Sequence, residues 1–137
     1  MLLEDALKSN LTNNQGLYYI TRVFGHKETS LYLGIATKYN TIKHRLESHK
    51  TSWLSEYRGR KYVRIGKIVF PETDDIYMKM KLIEHAESAL LYEPEHRCLF
   101  PANLNKRSSY TYTDLYRIKN RGNVFELKKP VNMKKHM

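Results

Sequence analysis

One cysteine, Cys98, serves the whole 137-residue chain. A disulfide framework and a cysteine-built zinc site are thereby excluded, and a cytosolic setting is expected. The six histidines show no H-E-x-x-H spacing and no other paired arrangement of metal ligands. Six glycines and four prolines are too few for a Gly/Pro-rich linker, and no repeat or low-complexity run is present. No apolar run approaches the ~18 residues of a membrane span, so no membrane partner is expected. The opening MLLEDALKSN lacks both the basic flank and the long apolar stretch of a signal peptide.

What the chain does have is positive charge. Lys and Arg total 24 against 14 Asp and Glu, a formal +10. A surplus of that size in a small chain points to a polyanion, most often nucleic acid, although a solvated basic surface has the same composition. The charge is also patterned. Residues 38–67 and 101–137 each carry net +7, residues 68–100 carry net −4, and residues 1–37 are neutral. A protein that only grips phosphate has no need of an acidic middle. An enzyme that sets a cation against phosphate does.

The periodicities predict an α+β domain of order ββαβα spanning 1–137. A short helix is expected over 2–8. Strands are expected over Leu17–Phe24 and Leu31–Ala36 with a turn at 25–28, from their β-branched and aromatic content. Asn40 would cap a helix over 41–50, and Lys61–Phe70 would form a third strand ended by Pro71. Thr73 or Asp74 would cap a long helix ending near Tyr92, ahead of Pro94. A C-terminal hairpin is expected from 112–118 and 124–128.

Two features sit oddly for pure structure. On the long helix, Ile76, Met80, Ile83, Leu90 and Leu91 fall within one arc with Glu87 in its middle, while Lys81, Glu84, His85 and Ser88 fall opposite. A carboxylate on a core-facing arc needs a partner or a metal, so a buried ion pair and a functional carboxylate are both open. On the first long helix, His49 shares the stripe of Ile42, Leu46 and Trp53. Arg45 precedes it by one turn and offers a fork matched to phosphate oxygens. Tyr18 and Tyr32 stand on neighbouring strands, where tyrosines commonly just pack.

In order along the chain, Gly16-Leu17-Tyr18, Tyr32-Leu33-Gly34, Arg45, Glu87 and Asn105 resemble the GIY-YIG nuclease family, over residues 14–107. Each tripeptide carries one Ile-to-Leu departure, and His49 resembles a position used by restriction-type members. Asn103 is the alternative to Asn105. The resemblance implies a small three-stranded antiparallel sheet flanked by helices, with a basic C-terminal appendage over 108–137. It implies metal-dependent hydrolysis of DNA phosphodiesters with Mg²⁺ or Mn²⁺ held by Glu87. Tyr18 would orient or deprotonate the attacking water with Tyr32 beside it. His49 would relay the proton, and Arg45 would stabilise the scissile phosphate. Lys50, Arg58, Arg60, Lys61, Lys106 and Arg107 are the expected DNA contacts.

Overall fold

The computed structural model of the chain describes residues 1–37, 40–66, 75–92, 99–103, 117–118 and 131–132. Helix α1 (Leu3–Lys8) leads through a 3-10 turn at Asn10–Asn13 to strands β1 (Gly16–Phe24) and β2 (Lys27–Ala36). Helix α2 (Ile42–Ser52), a 3-10 turn at Leu54–Glu56, strand β3 (Arg60–Gly66) and helix α3 (Ile76–Tyr92) follow. Two short strands, β4 (Arg117–Ile118) and β5 (Val131–Asn132), pair antiparallel. The first of these lies in the expected C-terminal hairpin. The second lies beyond the expected 124–128, which falls outside the described residues. So do Thr73, Asp74 and positions 67–70.

The main sheet is antiparallel with order β2-β1-β3, and helices flank it, which makes this an α+β fold. Alternation along β1 sends side chains to two covered faces. Tyr18 and Ile20 join Leu31, Ile42, Leu46, Leu54 and Val63 in one core, beneath α1 and α2. Tyr19 joins Leu33, Leu82, Ala89, Leu90, Leu91 and Phe100 in the other, beneath α3. The β1–β2 register slips between Ile20 and Thr21, where Ile20 pairs with Tyr32 but Thr21 pairs with Ser30. An extra residue of this kind bends a strand and re-aims its neighbours.

Three boundaries differ from expectation, each for a local reason. Strand β2 begins at Lys27, because Glu28 is held over the sheet by Thr21 (2.6 Å) and Arg64 (2.8 Å). Its polar residues therefore pair in the ladder instead of turning. Thr41, not Asn40, caps α2, with its hydroxyl accepting from the His44 N–H at 3.1 Å. Asp75 serves the start of α3, its carboxylate accepting from Tyr77 N (2.9 Å) and Met78 N (3.3 Å).

Both rims of the sheet are occupied. Outside β3, Met1 receives the Val63 N–H on its carbonyl (2.7 Å) and donates its ammonium to the Val63 carbonyl (3.0 Å). Outside β2, Ala102 N donates to Leu31 O (3.0 Å). The Asn103 amide there accepts from Leu33 N (2.9 Å) and donates to Leu33 O (2.7 Å). Phe100, buried and set edge-on against Tyr19, takes a left-handed φ of 56° as the chain turns toward this rim.

Candidate active site

The site is built where β1, β2 and α2 meet. Tyr18 lies directly across from Gly34, and Tyr32 stands diagonally from it on the same face. The two rings stack at 6.0 Å between centroids. Gly34 makes this possible. A Cβ there would lie 2.5 Å from Tyr18 Cζ and Oη and 2.6 Å from Tyr32 Cε1. The glycine of the second tripeptide is therefore a floor for the tyrosine of the first.

Helix α2 supplies the rest. Ile42, Leu46 and His49 are buried on one face, as their spacing predicts. That packing brings His49 Nε2 to 2.7 Å from Tyr18 Oη. The Trp53 indole closes the other side of the imidazole, with Nε1–H donating to Nδ1 at 2.9 Å. The Tyr32 ring meets His49 edge-on at 4.7 Å and Trp53 at 5.2 Å. Trp53 was expected only as a packing residue. Its one signal in the sequence is the four-residue spacing from His49, which on a helix stacks the two side chains.

Arg45 reaches the same cluster. Its guanidinium lies beside both the Tyr18 and Tyr32 hydroxyls. Burial works against the charge, and the two phenol oxygens outweigh that, so the group is held more firmly cationic than usual. Its Nε is buried without a hydrogen-bond partner among the described residues.

The electrostatics set the resting protonation. Burial pushes the Tyr18 hydroxyl well above the ordinary phenol range, with Tyr32 adding and Arg45 opposing. Burial, and then the Arg45 cation, hold His49 down to about 4. At neutral pH the centre is thus a phenol, a neutral imidazole and a guanidinium.

The arc expected on α3 is met in part: Ile83, Leu90 and Leu91 are buried, with Glu87 among them. Glu87 itself is half-buried on α3, while Leu82, Ile83, Ala86, Ala89 and Leu90 are buried together with His85 and Ser88. Leu82, Ala86 and Ala89 face inward, and Glu87 lies one turn from Ile83 and one turn from Leu91, both buried, at the side of that surface. Ile76, assigned to the apolar arc, is 72% exposed. The helix also packs through Leu82, Ala89 and Leu90 on the sheet face bearing Tyr19 and Leu33, opposite the face bearing Tyr18. Among the described residues no group of three His, Cys, Asp or Glu side chains comes together as a metal site.

Of the two asparagines, Asn103 spends its amide on the Leu33 main chain, and Asn105 lies outside the described residues. Lys106 and Arg107 lie outside them too. Among the other basic residues, Lys50, Arg58 and Arg60 are exposed. Lys61 is not a free grip: its ammonium donates to the carbonyls of Tyr57 and Gly59 (2.8 Å to the latter). It staples the turn that carries Arg58. Gly59, at φ 106°, presses that turn onto the end of the hairpin, where a Cβ would sit 2.4 Å from Val23 O. Arg22 completes the patch. It donates to Arg58 O (3.3 Å) and lies over the Tyr57 ring, which meets Trp53 edge-on at 5.8 Å. Aromatic contacts therefore run from the Tyr18 cluster to the basic turn.

No helix among the described residues is long and apolar enough to cross a membrane. No protein-family model matches the sequence, and no curated protein or solved structure gives a significant match.

Proposed function

We propose that the chain is a divalent-metal-dependent DNA endonuclease of the GIY-YIG type. The observation that carries the reading is the meeting of Tyr18, Tyr32, His49 and Arg45 from three elements on one sheet face, with the Arg45 Nε–H buried and unspent. A guanidinium so placed beside two phenols is matched to a phosphate whose oxygens gain charge during displacement. Trp53, Tyr57 and the Arg22–Arg58 turn lead away from that point as a basic track for the duplex backbone.

In this reading Arg45 binds and stabilises the scissile phosphate. The Tyr18 hydroxyl, a phenol at neutral pH, orients the attacking water, and Tyr32 shapes the other side of that position. Mg²⁺ or Mn²⁺ is assigned to Glu87. A single carboxylate with waters and phosphate oxygens is a donor set that Mg²⁺ accepts. When bound, the ion supplies charge neutralisation at the phosphate. The assignment rests on the resemblance and on this donor chemistry; α3 packs on the sheet face opposite Tyr18, so no step is routed through the ion. The lone cysteine suits a reducing, cytoplasmic setting.

Nicking of supercoiled plasmid with Mg²⁺ or Mn²⁺ tests the proposal. The wild-type chain should nick. Glu87→Ala should abolish cleavage while sparing DNA binding. Salt-sensitive DNA binding without nicking by the wild type, with either metal, would replace the nuclease reading with that of a non-catalytic binding module.

A further inference from the structure

We propose that Trp53 is a positioning residue that decides which nitrogen of His49 carries the proton, making His49 a proton donor toward Tyr18 and closing it as an acceptor. The inference deepens the nuclease reading and rests on it for its catalytic meaning, though not for its chemistry.

An indole N–H can only donate. At 2.9 Å from His49 Nδ1 it requires a lone pair there. A neutral imidazole holds one proton, so that proton is on Nε2. Nε2 is 2.7 Å from Tyr18 Oη, and its N–H therefore donates to the phenol oxygen. The phenol proton of Tyr18 must point elsewhere. A second proton on His49 would sit on Nδ1, facing the Trp53 N–H, so that two donors would oppose each other. The titratable or charged groups facing the imidazole among the described residues are Tyr18 from β1, Tyr32 from β2 and Arg45 from α2.

The relay that the family resemblance implies for His49 is blocked at rest. Tyr18 cannot pass its proton to His49 at rest, because Nε2 already holds one and the Nδ1 lone pair is covered. His49 and Arg45 instead converge on the phenol oxygen as donors. Those two donors occupy the lone pairs of the oxygen and leave the phenol O–H to donate, so Tyr18 orients a water without deprotonating it. The proton leaving the water passes to a phosphate oxygen or to solvent, not to His49.

The test is a long-range ¹H–¹⁵N correlation on the full chain with labelled histidine, near neutral pH. Wild-type His49 should show its proton on Nε2 and a bare Nδ1. Trp53→Phe keeps a ring and removes only the N–H. It should give a measurable Nδ1-protonated population and raise the His49 titration midpoint by roughly half to one pH unit, the worth of one buried hydrogen bond. A wild-type proton on Nδ1 would overturn the proposal. So would a variant that stays wholly Nε2-protonated with its midpoint unmoved. Should the variant fail to fold, the wild-type spectrum alone decides the tautomer. Where the wild type nicks plasmid, Trp53→Phe should lower turnover and leave DNA affinity unchanged; a shifted tautomer with unchanged turnover would refute the positioning role. A wild type with the expected tautomer and no nicking would defeat the nuclease reading and leave this assignment standing.

Discussion

Replacing Gly34 by alanine puts a methyl into the space that the Tyr18 ring occupies. Glycine at this position needs no unusual backbone, since Gly34 is not among the residues with positive φ. The cost is therefore crowding alone. The added carbon would lie 2.5 Å from two Tyr18 atoms and 2.6 Å from Tyr32 Cε1, about 1 Å inside ordinary contact. Tyr18 has nowhere to retreat: it is fully buried, bonded to His49 and stacked on Tyr32. Overpacking of this kind costs roughly 1–3 kcal/mol. For a chain of this length that lowers Tm by roughly 3–5 °C per kcal/mol. Urea and thermal unfolding followed by circular dichroism would measure it. Gly66→Ala is the matched control, since its Cβ meets only Leu17, at 3.1 Å, and its φ is likewise ordinary. It should stay within about 1 kcal/mol of wild type. In a Tyr32→Ala background the Tyr18 ring gains room, so the penalty at Gly34 should shrink by roughly 0.5–3 kcal/mol. Gly34→Ala costing no more than Gly66→Ala, or strict additivity with Tyr32→Ala, would refute the crowding argument.

Three other outcomes are expected. Arg45→Ala should lower plasmid cleavage by about 10²–10³ while barely changing DNA affinity; equal losses in a nicking assay and a binding titration would make it an ordinary phosphate clamp. His49 takes up its proton near 4 in the folded chain and near 6.5 when unfolded, so unfolding is coupled to proton uptake between those values. Stability should therefore fall as pH drops through that window, and His49→Gln should flatten the slope in urea titrations at several pH values; an unchanged slope would show that the histidine does not contribute. Arg58→Gln with Arg60→Gln should reduce the slope of log affinity against log salt by about 1.8 if both touch phosphate; an unchanged slope would leave those charges as a solubility feature.

The two faces of the sheet differ in how well the sequence revealed them. On the α2 side, pattern and chemistry agree: Ile42, Leu46 and His49 recur at helical spacing and are buried together. The strands that bear Tyr18 and Tyr32 are dense in β-formers, so their pairing was legible, while the meeting of those tyrosines with Arg45 and His49 was implied only by the family resemblance. On α3 the rule held only in part, because residue type and burial part company at some positions. Ile76, Tyr77 and Met78 are exposed, whereas His85 and Ser88 are buried. The expected arc therefore holds at Ile83, Leu90 and Leu91, which are buried, and fails at Ile76, while the buried surface also takes in His85 and Ser88 from the side expected to be polar. Lys61 shows the other limit. Composition counts its charge, but only geometry reveals that the ammonium is bound to two backbone carbonyls. Trp53 is the same lesson in reverse, since its indole proton carries more of the site's chemistry than its apolar area suggests.

A sheet of three strands has two long rims, and unpaired rims recruit strands from other molecules. Here neither recruiter is left bare at its centre. Beside β3 the place is filled by Met1, whose backbone and ammonium both bond Val63. Beside β2 it is filled by a side chain, the Asn103 amide, which presents to Leu33 the same one donor and one acceptor that a neighbouring peptide unit would. A side-chain amide in that position works as a counterfeit strand one residue long. It satisfies the rim at Leu33 without offering a further rim of its own, which disfavours growth of the sheet at that point. Exchange of that nitrogen for oxygen in Asn103→Asp would set a carboxylate against the Leu33 carbonyl and reopen the edge, and slow self-association would be the first symptom to look for.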